Sequence, residues 1–390
     1  MRNIIKITKW LFVAAAFVAT ACQEDIVSWD DNLNDETTPA GAPKIEYIAL
    51  ASDTTSLKTH ITTGNLSDML AIYGENLSQL QSLYFNDVAV ELKTVYAVNS
   101  RIIVPIPRSL PEEITNKITV TTSKGTTEYD FTVSIPPLVI TSLFNEFCSA
   151  GDTVDIVGNN FDLYDLTVEN AQVSINGAKL TILDGTVTTL KVVIPAGTAD
   201  NTSITVSSPK MDNPATVKFR DFGVTLQNYG DGVWGDTQKY QTDGTHAGDP
   251  KPLKGIPIFQ RVNATLAQWS WNVPYAWGLN WPESYSDAPQ NYQLKFEILT
   301  LKNISTGDFI LGATPDGDAY RYKWNPAAGG ISFDTFGKWK TITIEYSELA
   351  AVGWAPQAGQ WGNFMIAYQP TKEGETIADF SIANARIVHK

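Results

Sequence analysis

The chain has 390 residues, of which 43% are hydrophobic and 18% are charged, and its formal net charge is −14 at pH 7. A chain of this length exceeds what one hydrophobic core normally accommodates, so two or three domains are expected. The negative charge disfavours binding to a phosphate backbone, and we therefore expect no nucleic-acid partner.

The first 21 residues have the organisation of a secretory signal peptide. A basic start precedes an apolar run over 10–21, which is too short to span a bilayer as a stable helix. Small residues lie directly before Cys22, and this arrangement resembles a bacterial lipoprotein cleavage box. The resemblance implies that residues 1–21 are removed and that Cys22 is lipidated. An ordinary signal peptide followed by a chance cysteine is the alternative.

The segment over 22–43 is predicted to be a flexible tether. It carries six acidic residues and no basic ones, with too few apolar residues to bury a core. Acidic residues directly after a lipidated cysteine resemble the export signal of surface lipoproteins in Bacteroidetes-type bacteria. The resemblance implies a protein that is lipid-anchored in the outer membrane, faces the cell exterior and touches the membrane only through its anchor.

The second cysteine and the histidines form no catalytic or metal-binding pattern. With Cys22 lipidated, Cys148 has no partner for an intramolecular disulfide, and we predict that it is a small buried side chain. His60, His246 and His389 are scattered along the chain, so their spacing supports neither a zinc site nor a catalytic dyad. We expect no metal and no cofactor.

Between residues 44 and 221 the chain contains an internal repeat of short strands. Segments 116–122 and 202–208 alternate apolar and polar residues, which predicts strands with one buried face. In each copy a turn around Gly74 or Gly158 precedes a strand that ends in proline, then the alternating strand. The order of these features is the same in both copies.

The Gly-x-Asn turn and the Val-x-Ile-Pro strand end resemble the IPT/TIG family of immunoglobulin-like β-sandwiches. We assign one copy to 44–136 and the other to 137–221, with Pro136 and Pro137 stiffening the junction because each ring fixes φ. We expect both copies to act as spacers. Apolar residues assigned to their cores include Leu83, Phe85, Val168 and Ile175.

Residues 222–390 are predicted to form a larger, jelly-roll-like β-sandwich. Strand-like segments alternate with long loops rich in Gly, Pro, Asp and Trp, over 294–299, 340–346, 363–368 and 385–388. Trp339, at the start of a strand, is assigned to the core. No long stretch has helical spacing, so the predicted fold class is all-β: two tandem IPT/TIG-like sandwiches followed by this larger one.

Tryptophan is concentrated in this last domain. Nine of the eleven tryptophans follow Gly223, and four of them lie within 268–281. Flat aromatic faces beside Asn, Gln and Ser suit sugar rings. Trp269 and Trp271 share one face of an alternating segment, and the period alone leaves open whether that face is buried or exposed.

Four further aromatic residues are candidates for a binding surface, because they lie in predicted loops or on one face of a predicted strand. After Pro274 the alternation breaks, which places Tyr275, Trp277 and Trp281 in a loop. Trp234 lies on another turn-rich loop, and Trp324 alternates with two tyrosines onto one face of a strand. The candidate glycan-binding residues are therefore Trp234, Trp269, Trp271, Tyr275, Trp277, Trp281 and Trp324.

The whole architecture resembles the surface glycan-binding lipoproteins encoded with outer-membrane glycan transporters, specifically the type with a terminal xyloglucan-binding-like domain. The resemblance rests on the combination of lipoprotein signal, tether, two IPT/TIG-like units and a Trp-rich terminal sandwich. It implies a non-catalytic protein that captures a polysaccharide, a β-glucan or hemicellulose such as xyloglucan, beside the transporter complex. It also implies that an early tryptophan of the last domain, Trp234, joins the aromatic platform.

Two other functions remain open. Protein adhesion fits the same aromatic residues, since exposed Trp and Tyr also form hot spots for proteins. A glycosidase would need paired carboxylates. The available acidic residues of the last domain are Glu283, Glu297, Asp316, Asp318, Glu345 and Glu348. Glu297 and Glu345 interrupt strands as solvent-facing residues would, so we expect no catalysis.

The Asp-Gly-Asp loop over 314–318 is predicted to be an ordinary turn rather than a calcium site.

Overall fold

The computed structural model describes residues 38–55, 58–226 and 237–390. Cys22 and Trp234, two of the predicted functional residues, lie outside these ranges. The described residues fall into two compact units that divide after Pro137. Their regular structure is almost entirely β, and the all-β prediction is confirmed. None of the described helices is long and apolar enough to cross a membrane.

The first unit is an immunoglobulin-like sandwich. Its strands are β1 Lys44–Leu50, β2 Thr63–Asn65, β3 Met69–Glu75, β4 Leu80–Phe85, β5 Val88–Ala89, β6 Tyr96–Val98, β7 Arg101–Pro105, β8 Lys117–Thr122, β9 Gly125–Asp130 and β10 Thr132–Ser134. One antiparallel sheet has the order β1-β3-β7-β6 and the other β5-β4-β8-β9, while β2 pairs in parallel with β10. Leu83 and Phe85 lie in the core between the sheets, as predicted.

The second unit begins with a similar sandwich. Its strands are β11 Val139–Leu143, β12 Thr153–Asn159, β13 Gln172–Ile175, β14 Ala178–Lys179, β15 Ile182–Gly185, β16 Thr189–Val193, β17 Thr202–Ser207 and β18 Ala215–Phe219. The sheets have the orders β11-β12-β16-β15 and β14-β13-β17-β18. Ile175 is in the core, but Val168 is 43% exposed because it lies in the loop between β12 and β13 rather than on a strand. Cys148 is buried as predicted, and burial raises the pKa of its thiol to about 12.

A glycine occupies the same place in both sandwiches. Gly74 in β3 faces a bulge in β1, and a Cβ there would lie 1.9 Å from the carbonyl oxygen of Lys44. Gly158 in β12 faces a bulge in β11, and a Cβ there would lie 2.0 Å from the carbonyl oxygen of Val139. Only glycine lets the two backbones approach this closely. The repeated Gly-x-Asn pattern therefore marks a shared structural feature.

The second unit ends in a larger sandwich. Its strands are β19 Val224–Thr225, β20 Gln241–Thr242, β21 Phe259–Ala267, β22 Asn272–Asn280, β23 Tyr292–Thr300, β24 Asp308–Gly312, β25 Tyr322–Trp324, β26 Lys340–Glu345, β27 Trp361–Gln369 and β28 Glu375–His389. Its helices are α1 Thr237–Tyr240 and α2 Tyr346–Ala351. Short 3-10 turns in the two units lie at Leu92–Thr94, Tyr285–Asp287, Pro289–Asn291, Asp318–Tyr320 and Ala328–Gly330.

Two sheets enclose the core of this larger sandwich. The six-stranded sheet has the order β20-β21-β28-β23-β26 with β19 also on β28, and the four-stranded sheet has the order β22-β27-β24-β25. Their inner faces meet in a core that is rich in aromatic rings, including Tyr275, Trp277, Phe296, Phe309, Phe364, Tyr368 and Phe380. The outer faces of the two sheets consequently point in opposite directions.

Buried charges join the second sandwich to the outer face of the six-stranded sheet. Glu146, between β11 and β12, accepts a hydrogen bond from Arg386 Nη2 at 2.7 Å and also pairs with Lys295. Arg386 Nη1 lies 3.0 Å from Glu297. All four side chains are at most 6% exposed. Burial alone would lower the pKa of the Arg386 guanidinium, but the two carboxylates outweigh burial and the pKa is raised.

Further hydrogen bonds, from backbone amides and from a side chain, reinforce this buried ion cluster. The Thr341 amide donates to the Phe144 carbonyl at 2.7 Å, and the Glu146 amide donates to Thr341 Oγ1 at 3.0 Å. Asn384 Nδ2 donates to Glu297 at 3.0 Å. The prediction that Glu297 faces solvent is therefore wrong, because the second sandwich covers this part of the sheet.

Removing the Glu146 carboxylate should destabilise the second unit strongly. In Glu146→Ala, Arg386 and Lys295 remain buried with one carboxylate fewer, and breaking a buried pair typically costs about 3–5 kcal/mol. Urea unfolding followed by tryptophan fluorescence measures the loss. Glu345→Gln, which removes a partly exposed pair with Lys390, is the control and should cost less than about 1 kcal/mol. Equal losses in the two variants would contradict the structural role of the cluster.

Candidate functional site

The edge strand β22 carries two of the predicted platform residues into the core. The sequence places Tyr275 and Trp277 in a loop after Pro274, and this prediction is wrong. β22 lies at the edge of its sheet, where proline is tolerated, and its register shifts between Asn272 and Tyr275. The strand therefore continues through the proline, and both aromatic side chains point inward with no exposed surface.

Trp281 and Trp324 also belong to the core rather than to an exposed platform. Trp281 follows β22 directly and is fully buried. Trp324 is partly buried, and its ring packs against Phe309 and Phe333 with centroid separations of 5.2 and 5.6 Å. The face onto which Trp324 alternates is therefore the inner face of the four-stranded sheet. Trp339 is buried, as predicted.

The outer face of the four-stranded sheet has a floor of small and apolar side chains. Side chains alternate along a strand, so the residues between the inward-pointing ones point away from the core. The floor is made of small and apolar residues: Val273, Ala276, Gly278, Ile310, Gly312, Met365 and Ala367. Its five apolar side chains are at most 6% exposed, so the surface that is open to a ligand belongs to the larger side chains around them.

Trp361, the first residue of β27, lies on this floor. Its side chain is 64% exposed. A Cβ added to Gly278 on the neighbouring strand would lie 2.4 Å from Cζ2 and 3.1 Å from Cη2 of the indole. The six-membered ring is thus in close contact with Gly278, while most of the side chain is open to solvent. Held in this way, the ring is a preorganised stacking surface.

Trp269 lies beside the opposite end of β27, in the turn between β21 and β22. Its amide donates to the Pro370 carbonyl at 2.9 Å, and its carbonyl accepts from Gln369 Nε2 at 3.2 Å, which fastens it beside the end of β27. The side chain is 58% exposed, and φ is +60°, a region that bulky residues rarely adopt. Its indole is therefore held outside the core by defined backbone contacts.

Trp271 lies near the same end and is 39% exposed. The guanidinium carbon of Arg321 lies 4.6 Å from the centroid of its ring. Arg321 pairs with Asp318 and lies 3.9 Å from Asp316. This cation–π contact restrains the orientation of the indole, part of which stays exposed.

Together these residues form an extended surface. Trp361 and Gln369 are eight residues apart on β27, so the outer face is about 26 Å long at ~3.3 Å per residue. Exposed indoles lie at both ends, and the amides of Asn280, Asn363 and Gln369 are on the outward side of their strands. Flat apolar rings with hydrogen-bonding amides between them match the alternating faces and hydroxyls of an extended sugar chain.

Three of the glutamates that were available for catalysis are engaged in other contacts. Glu283 accepts from the Tyr292 hydroxyl at 2.9 Å, and Glu348 accepts from the Tyr322 hydroxyl at 2.6 Å. Glu297 is buried in the ion cluster. Within the described ranges, no group of three or more His, Cys, Asp or Glu side chains could hold a metal ion. A glycosidase would instead need two carboxyl groups that flank the scissile bond and are free to react.

The sequence prediction missed Trp361. This residue lies outside the dense tryptophan run, but its strand carries a signal. At the start of β27, exposed Trp361 and half-buried Asn363 alternate with buried Gly362 and Phe364, before the strand becomes buried on both faces. This short period-2 pattern places Trp361 on the face opposite Phe364 and the core.

Comparisons with known proteins agree with the architecture. A family model described as the surface glycan-binding protein B xyloglucan binding domain matches residues 180–389, and an IPT/TIG domain model matches residues 138–220. An IPT/TIG domain-containing protein of Bacteroides ovatus is 25% identical over 349 residues, which cover 83% of this chain and 69% of the relative.

Solved structures of similar proteins include two surface glycan-binding proteins. PbSGBP-B from Prevotella bryantii is 19% identical, with 90% of this chain and 99% of that chain covered and a TM-score of 0.49. SGBP-B from a complex xyloglucan utilization locus in Bacteroides uniformis is 17% identical, with 90% and 100% covered and a TM-score of 0.41. A structure with xylogluco-oligosaccharide is 16% identical, with 90% and 100% covered and a TM-score of 0.31.

Trp277 and Trp361 should respond differently to truncation. Trp277→Ala leaves a large cavity in the core and should cost about 3–5 kcal/mol of unfolding free energy. Trp361→Ala removes an exposed ring and should change the unfolding free energy by no more than about 0.5 kcal/mol. Urea titration of both variants measures the difference. A large loss in Trp361→Ala would mean that this ring is needed for packing.

Gly278→Ala should move the Trp361 ring without unfolding the protein. The added methyl group meets only the far end of the indole, so the ring shifts while the strand stays paired. Acrylamide quenching of tryptophan fluorescence reports the change in exposure. The matched control is Gly278→Ala in a Trp361→Ala background, where the methyl group should change nothing. Unchanged quenching in both backgrounds would refute the contact.

Proposed function

Since the chain belongs to the family described by the surface glycan-binding protein B xyloglucan binding domain, we propose that it captures a polysaccharide on the outer face of its four-stranded sheet. Trp361, Trp269 and Trp271 are the stacking residues in this proposal. The ligand is an extended β-glucan or hemicellulose chain, with xyloglucan as the first candidate. The protein holds the chain and does not cleave it.

One observation carries the proposal: the Trp361 indole packs in close contact with Gly278 and is still 64% exposed. A ligand that covers this ring removes its apolar surface from water, and this burial favours binding. Sugar rings present flat C–H faces that match an indole, and their hydroxyls point sideways to neighbouring amides. Asn363, two residues along the same strand, is placed for such a contact.

The expected affinity is low for a single stretch of sugar. If three indoles bury roughly 300 Å² of apolar surface against the ligand, the gain is about 7 kcal/mol at ~25 cal/mol per Å². Association costs at least about 4 kcal/mol. The remainder corresponds to millimolar or somewhat tighter binding. Such binding suits a protein that acts beside other binders on one long polymer.

The cellular setting is part of the same proposal. A lipid on Cys22 and the acidic segment over 22–43 would anchor the protein in the outer membrane, facing the exterior. A protein held there is placed to present the polysaccharide to an outer-membrane glycan transporter complex. The net charge of −14 supports a neutral glycan rather than a nucleic acid as the polymer.

Catalysis has little support. Glu297 is enclosed by Arg386 and Asn384, and Glu283 and Glu348 have tyrosine partners. A hydrolase requires one carboxyl group that can donate a proton and a second that can act as a base or nucleophile. Binding without turnover is therefore the function that these side chains favour.

Truncating Trp361 should weaken glycan binding while the fold is kept. Losing about 100 Å² of apolar contact at ~25 cal/mol per Å² should lower the affinity about 10- to 100-fold. Native affinity gels containing xyloglucan or mixed-linkage β-glucan, together with calorimetry on a xylogluco-oligosaccharide, measure the change. Ile331→Ala, at a residue that is 78% exposed, is the control. If Trp361→Ala binds all tested glycans as the parent does, the outer face is not the site.

A further inference from the structure

We propose a second sugar-binding site in the cleft between the second sandwich and the last one. The cleft has a volume of about 860 Å³, which is within the range of small-ligand sites. Phe144, Asp152 and Asp155 line one wall, and Leu301, Phe336 and Trp339 line the other. The inference rests on the proposed function, because its ligand is the same class of polysaccharide.

Phe336 is the central observation. Its side chain is 82% exposed, and its backbone has φ of +52°. Asparagine or glycine would occupy such a position at lower cost, so the fold itself gives no reason for a phenylalanine. Exposed aromatic rings on strained backbone are typical of functional surfaces.

The loop that presents Phe336 is well fastened. The Phe336 amide donates to Asp334 Oδ1 at 2.7 Å, and the Gly337 amide donates to the Thr300 carbonyl at 3.1 Å. Thr335 is buried, and its Oγ1 accepts from the Thr300 amide at 2.8 Å. The ring therefore extends from a defined support, which reduces the entropy lost when a ligand stacks on it.

The two walls are also fixed relative to each other. Glu146 directly follows Asn145, which lines the cleft, and pairs with Arg386 and Lys295 of the last sandwich. Phe144, in the same wall, accepts the 2.7 Å hydrogen bond from Thr341. A ligand that contacts both walls therefore meets a preformed site and does not have to close it.

The polar groups of the cleft favour a sugar over a polyanion. Asp152, Asp155, Lys191, Lys251 and Lys338 all line the cleft, so charges of both signs are present on its walls. Lys191 Nζ lies 4.0 Å from Asp155. Carboxylates accept hydrogen bonds from sugar hydroxyls and ammonium groups donate to them, while an aromatic ring stacks on the sugar face. Carboxylates in the same cleft repel a phosphate chain.

Two sites would change how the protein holds a polymer. The cleft adjoins the six-stranded sheet, whereas the tryptophan face belongs to the four-stranded sheet on the opposite side of the sandwich. Two stretches of one flexible chain, or two neighbouring chains, can be bound together. Linked weak sites raise the retention of a polymer without raising the affinity of either site.

Phe336→Asn separates the two sites experimentally. Asparagine tolerates the left-handed backbone, so the loop is kept while the ring is removed. Calorimetry with a xylogluco-oligosaccharide and a mixed-linkage β-glucan oligosaccharide should give two sites for the parent chain and one each for Phe336→Asn and Trp361→Ala. The double variant should bind neither sugar. Retention of Phe336→Asn in xyloglucan gels should fall about tenfold.

The control is Ile331→Asn, which changes another exposed apolar residue outside the cleft. It should leave both sites intact. If Trp361→Ala abolishes binding while Phe336→Asn titrates like the parent, the cleft proposal is overturned and the outer-face function stands. If Phe336→Asn abolishes binding while Trp361→Ala has no effect, the cleft stands and the outer-face assignment fails.

Discussion

Four buried charges determine how the last two sandwiches of this chain are joined. Glu146 comes from the second sandwich, while Lys295, Glu297 and Arg386 come from the last one. Two carboxylates balance two cations, so the group can be desolvated only when both sandwiches are in place. Such a pairing contributes little to stability compared with an apolar contact of the same volume, but it demands one specific geometry.

This junction also explains how the surfaces of the last sandwich are divided. The second sandwich covers part of the outer face of the six-stranded sheet, which buries Glu297. The outer face of the four-stranded sheet points the other way and keeps its exposed indoles. Binding surfaces on loops and sheet faces need a rigid support, and here the support is the aromatic core together with the fixed junction.

The division of tryptophans between core and surface follows from local backbone geometry. Trp277 and Trp361 lie on the neighbouring strands β22 and β27, where Trp277 pairs with Phe364 and Trp361 pairs with Asn280. Trp277 is fully buried, whereas Trp361 is 64% exposed. A bulge at Pro274 sets the phase of β22, and Gly278 provides the space in which the Trp361 ring lies. A shift of one residue in the strand register therefore decides whether an indole packs in the core or faces solvent, where it can bind a ligand.

The sequence by itself determined the all-β class, the repeated sandwich with its glycine turn, the buried Cys148 and the concentration of indoles in the last domain. These features depend on local patterns: strand alternation, turn residues and composition. Only the tertiary structure decided that Tyr275, Trp277, Trp281 and Trp324 face inward, that Trp361 lies on the surface, and that Glu297 is buried. The reason is physical: which side of a strand faces the core depends on bulges, sheet partners and covering domains, and these arise from contacts between residues far apart in the chain.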